Sequence, residues 1–547
     1  MLESGKNRLS RRAVIGTGGA VAAIGAAYSA LRLSEKHRIV SRYGAHTFNR
    51  GNGGEPKSLD PHHIDGTWES NIDGDLFVGL VTEDAAAKPI PGAATSWQTS
   101  ADGLTWTFHI RKAVWSDGVP VTAQDFVFAW QRLLDPKNAA PYAYNMWVVK
   151  NARAISDGKL SPSALGVSAP DSRTLIVHLE HPAAYLPELL MHQTAYPVPR
   201  HLVMRLGNDW ARQRNIVTNG PYMVKGWVPN DHVTLVKNPR FYDAAHVRIE
   251  TVRYFDTTDS QAALMEFRGH QLDTQNPYPA LSIGWMRAHI PGAIRSVPYM
   301  GIDYLALNVE HKPLDDIRIR EALNLAYNRE VIAGKIRDIG EPPAYSIVPP
   351  GIANYPGTGA MDFKSLPYAA RVGKARLLMK AAGYGPQHRL RLIYLTSTNP
   401  DQRRTAALVQ QMLSQIYIDM PIRSVELQIL YSRLQSHDFD IANAIWIADF
   451  NDASNFLDLF RTGGDNNYGN YSNPKFDALL DRAQQTVDLK TRAQIMQQAE
   501  NIVLADYAWV PCYYQVSQDI VQPWVKGWIP NLRDFNRSRW LWIDGRP

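Results

Sequence analysis

The chain has 547 residues, of which 45% are hydrophobic, 20% charged and 10% aromatic. This length is too great for one compact core, and the composition is too apolar for disorder, so we expect a folded protein of two or three packed units. Collagen-like, low-complexity and disulfide-rich chains are excluded. The single cysteine, Cys512, lies in an apolar run and is predicted to be a buried small hydrophobe.

The formal net charge of +6 is concentrated at the amino terminus. The first 27 residues hold four basic residues against Glu3, a net +3, and the other +3 is spread thinly over the rest of the chain. Nucleic-acid binding needs clustered Lys and Arg, so no nucleic-acid partner is predicted.

Residues 1–30 have the layout of an export signal. Ser10-Arg11-Arg12 precedes an uncharged, Gly- and Ala-rich run over 13–31, which resembles a twin-arginine signal peptide. The alternative is an uncleaved anchor, because a membrane-spanning helix needs about 20 residues of this kind. We favour export to the periplasm, followed by cleavage.

The amino-terminal half of the mature chain has mixed strand and helix periodicity. The predicted elements are a short strand within 46–62, a helix at 71–80, a strand at 106–110, a helix that Thr122 caps, and strands at 173–179, 217–222 and 232–237.

Residues 310–512 alternate helices and strands and are predicted to form an α/β lobe of their own. Helices are predicted at 316–336, 371–382, 402–416 and 475–505, and strands at 390–395, 423–430 and 440–447.

Sequence motifs for catalysis or cofactor binding are weak. The Gly-rich segment 16–19 lies inside the leader, and the chain has no Gly-x-Ser-x-Gly elbow and no His-Glu-x-x-His helix. Adjacent His62 and His63 are more typical of an exposed turn than of a metal site. We therefore predict no enzyme activity, no metal and no cofactor.

Two carboxylate pairs remain as candidates for acid–base chemistry. Asp315 and Asp316 precede a helical stretch and are explained as helix caps. Asp449 and Asp452 form the second pair, and spacing alone does not establish acid–base chemistry for them. On spacing alone, Asp449 is better explained as a loop carboxylate that caps a helix beginning near Ser454.

The stretch WTFHIRKAVWSDGVPVTAQDF, from Trp106 to Phe126, resembles the signature of the oligopeptide-binding proteins of peptide ABC transporters, solute-binding protein family 5, and also their murein-peptide-binding relatives. Further matching segments follow in the family's order and cover the chain beyond residue 46. They include Leu59-Asp60-Pro61-His62, Pro141-Tyr142, 215–222, Lys237-Asn238-Pro239, 446–456 and Val510-Pro511.

The resemblance implies an α/β, type II periplasmic-binding-protein fold, with two lobes, a hinge and an extra inserted domain. The implied division is lobe I at 46–77, 202–302 and 516–547, the extra domain at 78–201, and the second lobe at 303–515. Such a protein captures a peptide between its closing lobes, as an added β-strand, and delivers it to an inner-membrane ABC permease. It would act as a monomer.

The resemblance also implies the ligand contacts. Asp449 would pair with the peptide's α-ammonium, Trp446 would form the wall of a side-chain pocket, and Tyr142 would bond near the peptide's amino end. The backbone of Ile445 and Ile447 and the segment around Thr67 would offer strand-pairing groups. Asp65 corresponds to a glutamate that faces bound peptide.

This chain departs from the family where the ligand's carboxylate would lie. Asn443 replaces an arginine three residues before Trp446, and a histidine is replaced near Gln402. Candidate substitutes are Arg403, Arg404, Arg433, Lys335 and Arg337. Ile447 and Gly301 stand where some relatives form a disulfide.

Three functional hypotheses remain open. The first is a periplasmic oligopeptide-binding protein. The second keeps the fold with another cargo, namely a dipeptide, murein peptide, metal chelate, haem or sugar, because a fold does not fix its ligand. The third is a hydrolase that uses Asp449 or Asp452.

Overall fold

The structure is a computed structural model that describes residues 46–64 and 66–547. The predicted signal peptide at 1–30 and the candidate Asp65 lie outside the described residues. Within the part that is described, no helix is both long and apolar enough to cross a membrane.

The largest sheet has seven strands, drawn from both ends and the middle of the chain. Its central strand pairs in parallel with strands on both sides, and the outer pairs are antiparallel. In spatial order the strands are Ile294–Arg295, Asp519–Val521, Thr274–Gln275, Thr47–Gly51, Thr251–Phe255, His232–Lys237 and Tyr222–Val228.

A second sheet of five strands comes entirely from the carboxy-terminal half. It is antiparallel around its long strand Pro298–Leu307 and parallel at the edge formed by Ile422–Val425. The spatial order is Ile422–Val425, Tyr394–Ser397, Ile441–Ile447, Pro298–Leu307 and Trp509–Val516.

A four-stranded antiparallel sheet lies in the region predicted as the extra domain. Its strands, in spatial order, are Ala94–Thr99, Thr105–Ile110, Thr174–His178 and Val167–Ser168. Two-stranded ribbons pair Val81–Glu83 with Pro89–Pro91, Leu390–Arg391 with Ile418–Asp419, and Val525–Lys526 with Trp542–Ile543.

Helices cover these sheets. They span Thr67–Leu76, Ala123–Leu134, Ala152–Ser156, Leu186–Leu189, Arg200–Leu206, Ser260–Arg268, Ile283–His289, Ile317–Ala326, Arg329–Val331 with the π-helical Ile332–Arg337, Tyr368–Ala381, Pro400–Ser414, Leu427–Gln435, Ser454–Leu457, Pro474–Gln484 and Leu489–Ala505.

Most predicted elements are confirmed in type, and the differences have local causes. Thr122 caps its helix through a reciprocal bond with Asp125, and Asp316 caps the helix Ile317–Ala326. The long helix predicted over 475–505 is interrupted, because Asp488 caps a new helix and accepts from Thr491 N. The strand predicted at 423–430 is wrong beyond residue 425, where the helix Leu427–Gln435 begins.

Two large hydrophobic cores divide the chain. One is built from residues between Met300 and Tyr514, around the five-stranded sheet, and it contains the buried Cys512. The other joins the seven-stranded and four-stranded sheets, from Phe48 to Leu541. Pro298 pairs with Val516, and both residues lie on the lobe I side of the predicted boundaries at 302 and 515.

A polar clamp joins the helix Thr67–Leu76 to the segment before the strand Tyr222–Val228. The Asn219 side chain accepts from Val78 N at 3.0 Å and donates to Val78 O at 2.8 Å. Gly220 N donates to Leu76 O at 2.9 Å. A Cβ on Gly220 would lie 2.6 Å from the carbonyl carbon and oxygen of Leu76, so this contact requires glycine.

We predict that Gly220→Ala lowers the free energy of unfolding by about 1–3 kcal/mol, because backbone cannot move aside as a flexible side chain can. Urea unfolding followed by tryptophan fluorescence measures the change. Gly226→Ala is the matched control, since a Cβ there meets nothing within 4 Å. Equal free energies of unfolding for the two variants would show that the contact at Gly220 does not require glycine.

Candidate ligand-binding site

The strand Ile441–Ile447 has one edge that is open over most of its length. On one side it pairs with Pro298–Leu307 along its whole extent. On the other side the strand Tyr394–Ser397 pairs with Ile441 and Ala442, and beyond them the described residues supply no further strand. An unpaired edge of this kind is a template for an added strand.

The ladder determines which backbone groups point to the open edge. Ala448 N donates to Met300 O at one end, and Asn308 N donates to Asp440 O at the other. Because opposite residues alternate in antiparallel pairs, the even-numbered residues of 440–448 bond to the neighbouring strand. The N–H and C=O groups of Ile445 and Ile447 therefore face the open edge, where the Tyr431 hydroxyl reaches Ile445 O at 3.4 Å.

Asp449 lies just past this edge, with its side chain partly buried. The Tyr144 hydroxyl donates to Asp449 Oδ2 at 3.2 Å. Asn455 Oδ1 accepts from Asp449 N at 3.3 Å and from Trp446 Nε1 at 2.9 Å, which orients the indole relative to the aspartate. No Lys or Arg of the described residues forms an ion pair with this carboxylate.

Burial raises the pKa of Asp449 to about 6, although the hydrogen bonds from Tyr144 and Asn455 and the charge of Arg533 act in the opposite direction. The carboxyl group is thus ionised at neutral pH and titrates in mildly acidic solution. Burial also raises the pKa of the Tyr144 phenol, and the Asp449 charge adds to this, so Tyr144 remains a neutral donor.

Arg533 ties the Asp449 turn to the other segments. Its Nη2 donates to Asp449 O at 3.0 Å, and its Nη1 donates to Glu188 Oε2 at 2.9 Å. The arginine side chain is only 3% exposed, so these are buried bonds. A second inter-segment contact is the stacking of Phe450 on Tyr185, with ring centroids 4.8 Å apart. Arg533 was not among the predicted site residues, because no local sequence signal marks a residue that stands 84 positions from its partner Asp449.

Of the two nearby tyrosines, Tyr144 is the one whose hydroxyl donates to Asp449. Tyr142 packs its ring against Tyr144 and His192, with centroids 5.6 and 5.4 Å apart. The repeated tyrosine in Tyr142-Ala143-Tyr144 was the sequence signal that could have identified Tyr144. A short 3-10 helix over Ala143–Met146 begins directly after Tyr142 and contains Tyr144.

Asn443 does not take the place of the family's arginine at the open edge. Its side chain is buried and donates to Asp303 Oδ1 at 3.0 Å. Gln402 and the Tyr513 hydroxyl donate to Asp303 Oδ2 at 3.3 and 2.9 Å. Arg337 stacks on Tyr513 and binds Glu341, so it belongs to the same buried cluster.

The other basic candidates lie in separate places. Arg403 and Arg404 are exposed on the helix Pro400–Ser414 and line a surface cavity with Ile422 and Ser424. Arg433 forms an ion pair with Asp438 at 3.3 Å. Lys335 is exposed in the π-helical segment.

Thr67 is the first residue of a helix, so its own backbone is not the edge of a strand. The extended backbone lies at Gly66, with φ −106° and ψ 150°. The predicted strand-pairing segment is therefore restricted to residues before Thr67.

A cavity of about 1340 Å³ opens next to Asp449. Trp446 forms part of its wall, together with Tyr144 and Asn145 from the region predicted as the extra domain. Asn455 and Phe450, from the carboxy-terminal half, line it as well. The cavity therefore lies between two parts of the chain that are distant in sequence.

The remaining acid–base and metal candidates have structural roles. Asp452 forms a buried bidentate pair with Arg492, at 2.7 and 2.8 Å, and accepts from Ser454 N. The N-cap position of the following helix is Ala453, so Asp449 does not cap it. The prediction of an exposed pair is wrong for His62, which is 2% exposed and lies against Arg132.

Comparison with known proteins gives a consistent result. The family model "Bacterial extracellular solute-binding proteins, family 5 Middle" matches residues 88–468. The chain is 35% identical over 487 residues to the periplasmic oligopeptide-binding protein OppA of Salmonella typhimurium, covering 88% of this chain and 89% of that protein. It is 33% identical to the probable deoxycholate-binding periplasmic protein YgiS of Escherichia coli, covering 91% and 93%.

Among solved structures, the chain resembles Haemophilus influenzae OppA in complex with RPPGFSPFR, with a TM-score of 0.81 and 33% identity, covering 91% of this chain and 99% of that one. The predicted α/β fold of two lobes is confirmed by this likeness. The chain belongs to family 5 of the bacterial extracellular solute-binding proteins.

Proposed function

We propose that this protein captures oligopeptides outside the cytoplasm and delivers them to an ABC permease of the inner membrane. The observation that carries the proposal is the open edge at Ile445 and Ile447, which ends at the partly buried carboxylate of Asp449. An edge of backbone donors and acceptors suits an extended peptide, and a carboxylate at its end suits an α-ammonium.

Backbone pairing explains how such a site accepts many sequences. The hydrogen bonds from Ile445 and Ile447 would go to the peptide's main chain, which every peptide shares. Successive side chains of the peptide would point to opposite faces of the added strand, where Trp446 and water could contact them. Affinity would then depend on ligand main chain and charge more than on ligand side chains.

Ligand capture would be coupled to closure through the Asp449 turn. Tyr144, Tyr185 and Arg533 contact this turn or the residue after it, and all three come from outside the carboxy-terminal lobe. A peptide that neutralises Asp449 would remove the cost of holding an unpaired carboxylate between the closed lobes. Binding would therefore stabilise the arrangement in which these residues contact the turn.

We further propose the division into lobe I, the extra domain and the second lobe along the predicted ranges, with lobe connections near residues 302 and 515. The pairing of Ile302 with Tyr514 at this point supports the proposal. Export by the twin-arginine route, residence in the periplasm, action as a monomer and absence of enzymatic turnover belong to the same proposal. Peptides incubated with the protein should be recovered intact.

An anionic steroid such as deoxycholate is the competing cargo, in view of the name of the Escherichia coli relative. A ligand whose charged end is a carboxylate would be repelled by Asp449, so the described site favours peptides. If deoxycholate raised the melting temperature while a panel of di- to pentapeptides did not, the peptide proposal would be overturned.

We predict that Asp449→Asn weakens binding of trialanine about 30-fold or more, because removal of one partner of a desolvated ion pair costs about 2–5 kcal/mol. Isothermal titration calorimetry measures the affinity. N-acetyl-trialanine should bind the wild type as poorly as the free peptide binds the variant, and acetylation should cause no further loss in Asp449→Asn. Asp465→Asn, at an exposed carboxylate in the wall of the cavity, is the control.

Peptide affinity should fall as the pH falls through about 6. The pKa of Asp449 is raised to about 6 by burial, and the ligand favours the ionised form, so affinity is full above this pH and declines below it. The peptide's α-ammonium stays protonated in this range, with a pKa of about 8. Well below pH 6 the dissociation constant should rise about tenfold per pH unit.

Calorimetry between pH 7.5 and 4.5 tests this dependence. Asp449→Asn should give a nearly flat profile over the same range. A wild-type profile as flat as that of the variant would show that Asp449 does not titrate in the binding equilibrium.

A further inference from the structure

The side chain of Phe450 crosses from the carboxy-terminal half of the chain into the hydrophobic core of the other half. That core joins the seven-stranded and four-stranded sheets, and its other members lie within 48–254 and 521–541. Phe450 is 8% exposed, and of the described residues in 303–515 it alone belongs to this core. An apolar group of the proposed second lobe is therefore buried among residues of lobe I and the extra domain.

Tyr185 provides the surface on which Phe450 packs. The two rings are stacked, with centroids 4.8 Å apart and planes inclined by 10°. The guanidinium carbon of Arg492 lies 5.4 Å from the centroid of the same tyrosine ring, and the bidentate pair with Asp452 fixes Arg492 in this place. Stacked rings, and a cation over an aromatic ring, attract each other beyond the effect of burial alone. Tyr185 therefore binds two side chains of 303–515 at once.

The segment that carries Tyr185 is firmly held in the region predicted as the extra domain. Tyr185 directly precedes the helix Leu186–Leu189, whose two leucines are buried in the same core as Phe450. Glu188 on this helix accepts from Arg533 Nη1 at 2.9 Å, which joins the segment to the carboxy-terminal residues as well. The tyrosine is thus a fixed part of one body, and separation of the two halves would remove Phe450 from it.

We propose that Phe450 and Tyr185 form a latch, through which the extra domain sets how long a bound peptide is retained. The proposal rests on the proposed peptide function and lobe division. Phe450 directly follows Asp449, so the residue proposed to bind the α-ammonium and the residue that enters the other core lie on one turn. Opening of the lobes would break the stacking and transfer a phenyl group to water, and both changes oppose release of the peptide.

A latch of this kind affects dissociation and leaves association unchanged. The peptide meets an open cleft before Phe450 and Tyr185 come together, so their contact forms after the encounter. We expect Tyr185→Ala to raise the dissociation rate constant of trialanine about tenfold or more, since losses of such contacts appear mainly in that constant. The association rate constant should stay within about twofold of the wild type. Stopped-flow tryptophan fluorescence measures both constants.

Conservative and double variants define the contact. Tyr185→Phe keeps the stacked ring, so its dissociation rate constant should stay within about twofold of the wild type. Phe450→Leu keeps an apolar side chain in the core but loses the stacking, so we expect an increase of about threefold. The double variant Tyr185→Ala/Phe450→Ala should release trialanine at most about twofold faster than either single variant, because residues in contact do not act additively.

Tyr384→Ala is the matched control. Tyr384 is half-buried and stacks on His388, with centroids 5.4 Å apart, but both residues lie within 303–515. This variant loses an aromatic pair of the same kind without a change between the halves, so its dissociation rate constant should remain within about twofold of the wild type. Phe450→Leu keeps the core filled, so it tests the latch even where an alanine variant fails to fold.

The outcomes separate the latch from the peptide function. If the wild type binds trialanine but Tyr185→Ala and Phe450→Leu release it at the wild-type rate, or if the effects of the two alanine substitutions multiply, the latch is wrong and the peptide function stands. An equal increase in Tyr384→Ala would also overturn the latch. If the wild type binds neither trialanine nor any member of a panel of di- to pentapeptides, the peptide function fails and the latch fails with it.

Discussion

The rest of the binding region depends on one constraint, which is a partly buried carboxylate without a cationic partner among residues 46–64 and 66–547. Asp449 receives a hydrogen bond from the neutral Tyr144, while Arg533 binds the main-chain oxygen of the same residue. The arginine thus fixes the turn without neutralising the side chain. An ionised carboxylate in such a place is stabilised most by a cation that also donates hydrogen bonds, and an α-ammonium is a compact group of this kind.

Two ion pairs with buried arginines hold the turn that carries Asp449. Arg533 pairs with Glu188 on one side, and Arg492 pairs with Asp452 on the other. Charge pairs of this kind add little net stability compared with apolar packing, but the loss of one partner costs several kcal/mol. Their geometry is therefore strongly specified, and the position of the carboxylate is specified with it.

Local signals predicted three features. Periodicity predicted the strand at 440–447, capping chemistry predicted the cap at Thr122, and a matching segment drew attention to Asp449 directly after that strand. The sequence could not predict that Tyr144 reaches Asp449 across 305 residues, or that Arg533 does so from near the carboxy terminus. Such contacts arise from packing of sheets that are assembled from distant segments. The error in the strand predicted at 423–430 is local instead, since a short apolar run fits a strand and a helix equally well.

The replacement at Asn443 explains why the two ends of the site differ. Its amide, with Gln402 and the Tyr513 hydroxyl, donates to Asp303, whose pKa is raised by burial. Three neutral donors thus satisfy an internal acid at the position where the resemblance implies an arginine for the ligand's carboxylate. An arginine would offer a charge to the cleft, whereas an amide committed to Asp303 offers none. Under the proposed peptide function, recognition of a fixed charge would be concentrated at the amino end, and ligand length would be free to vary at the other end.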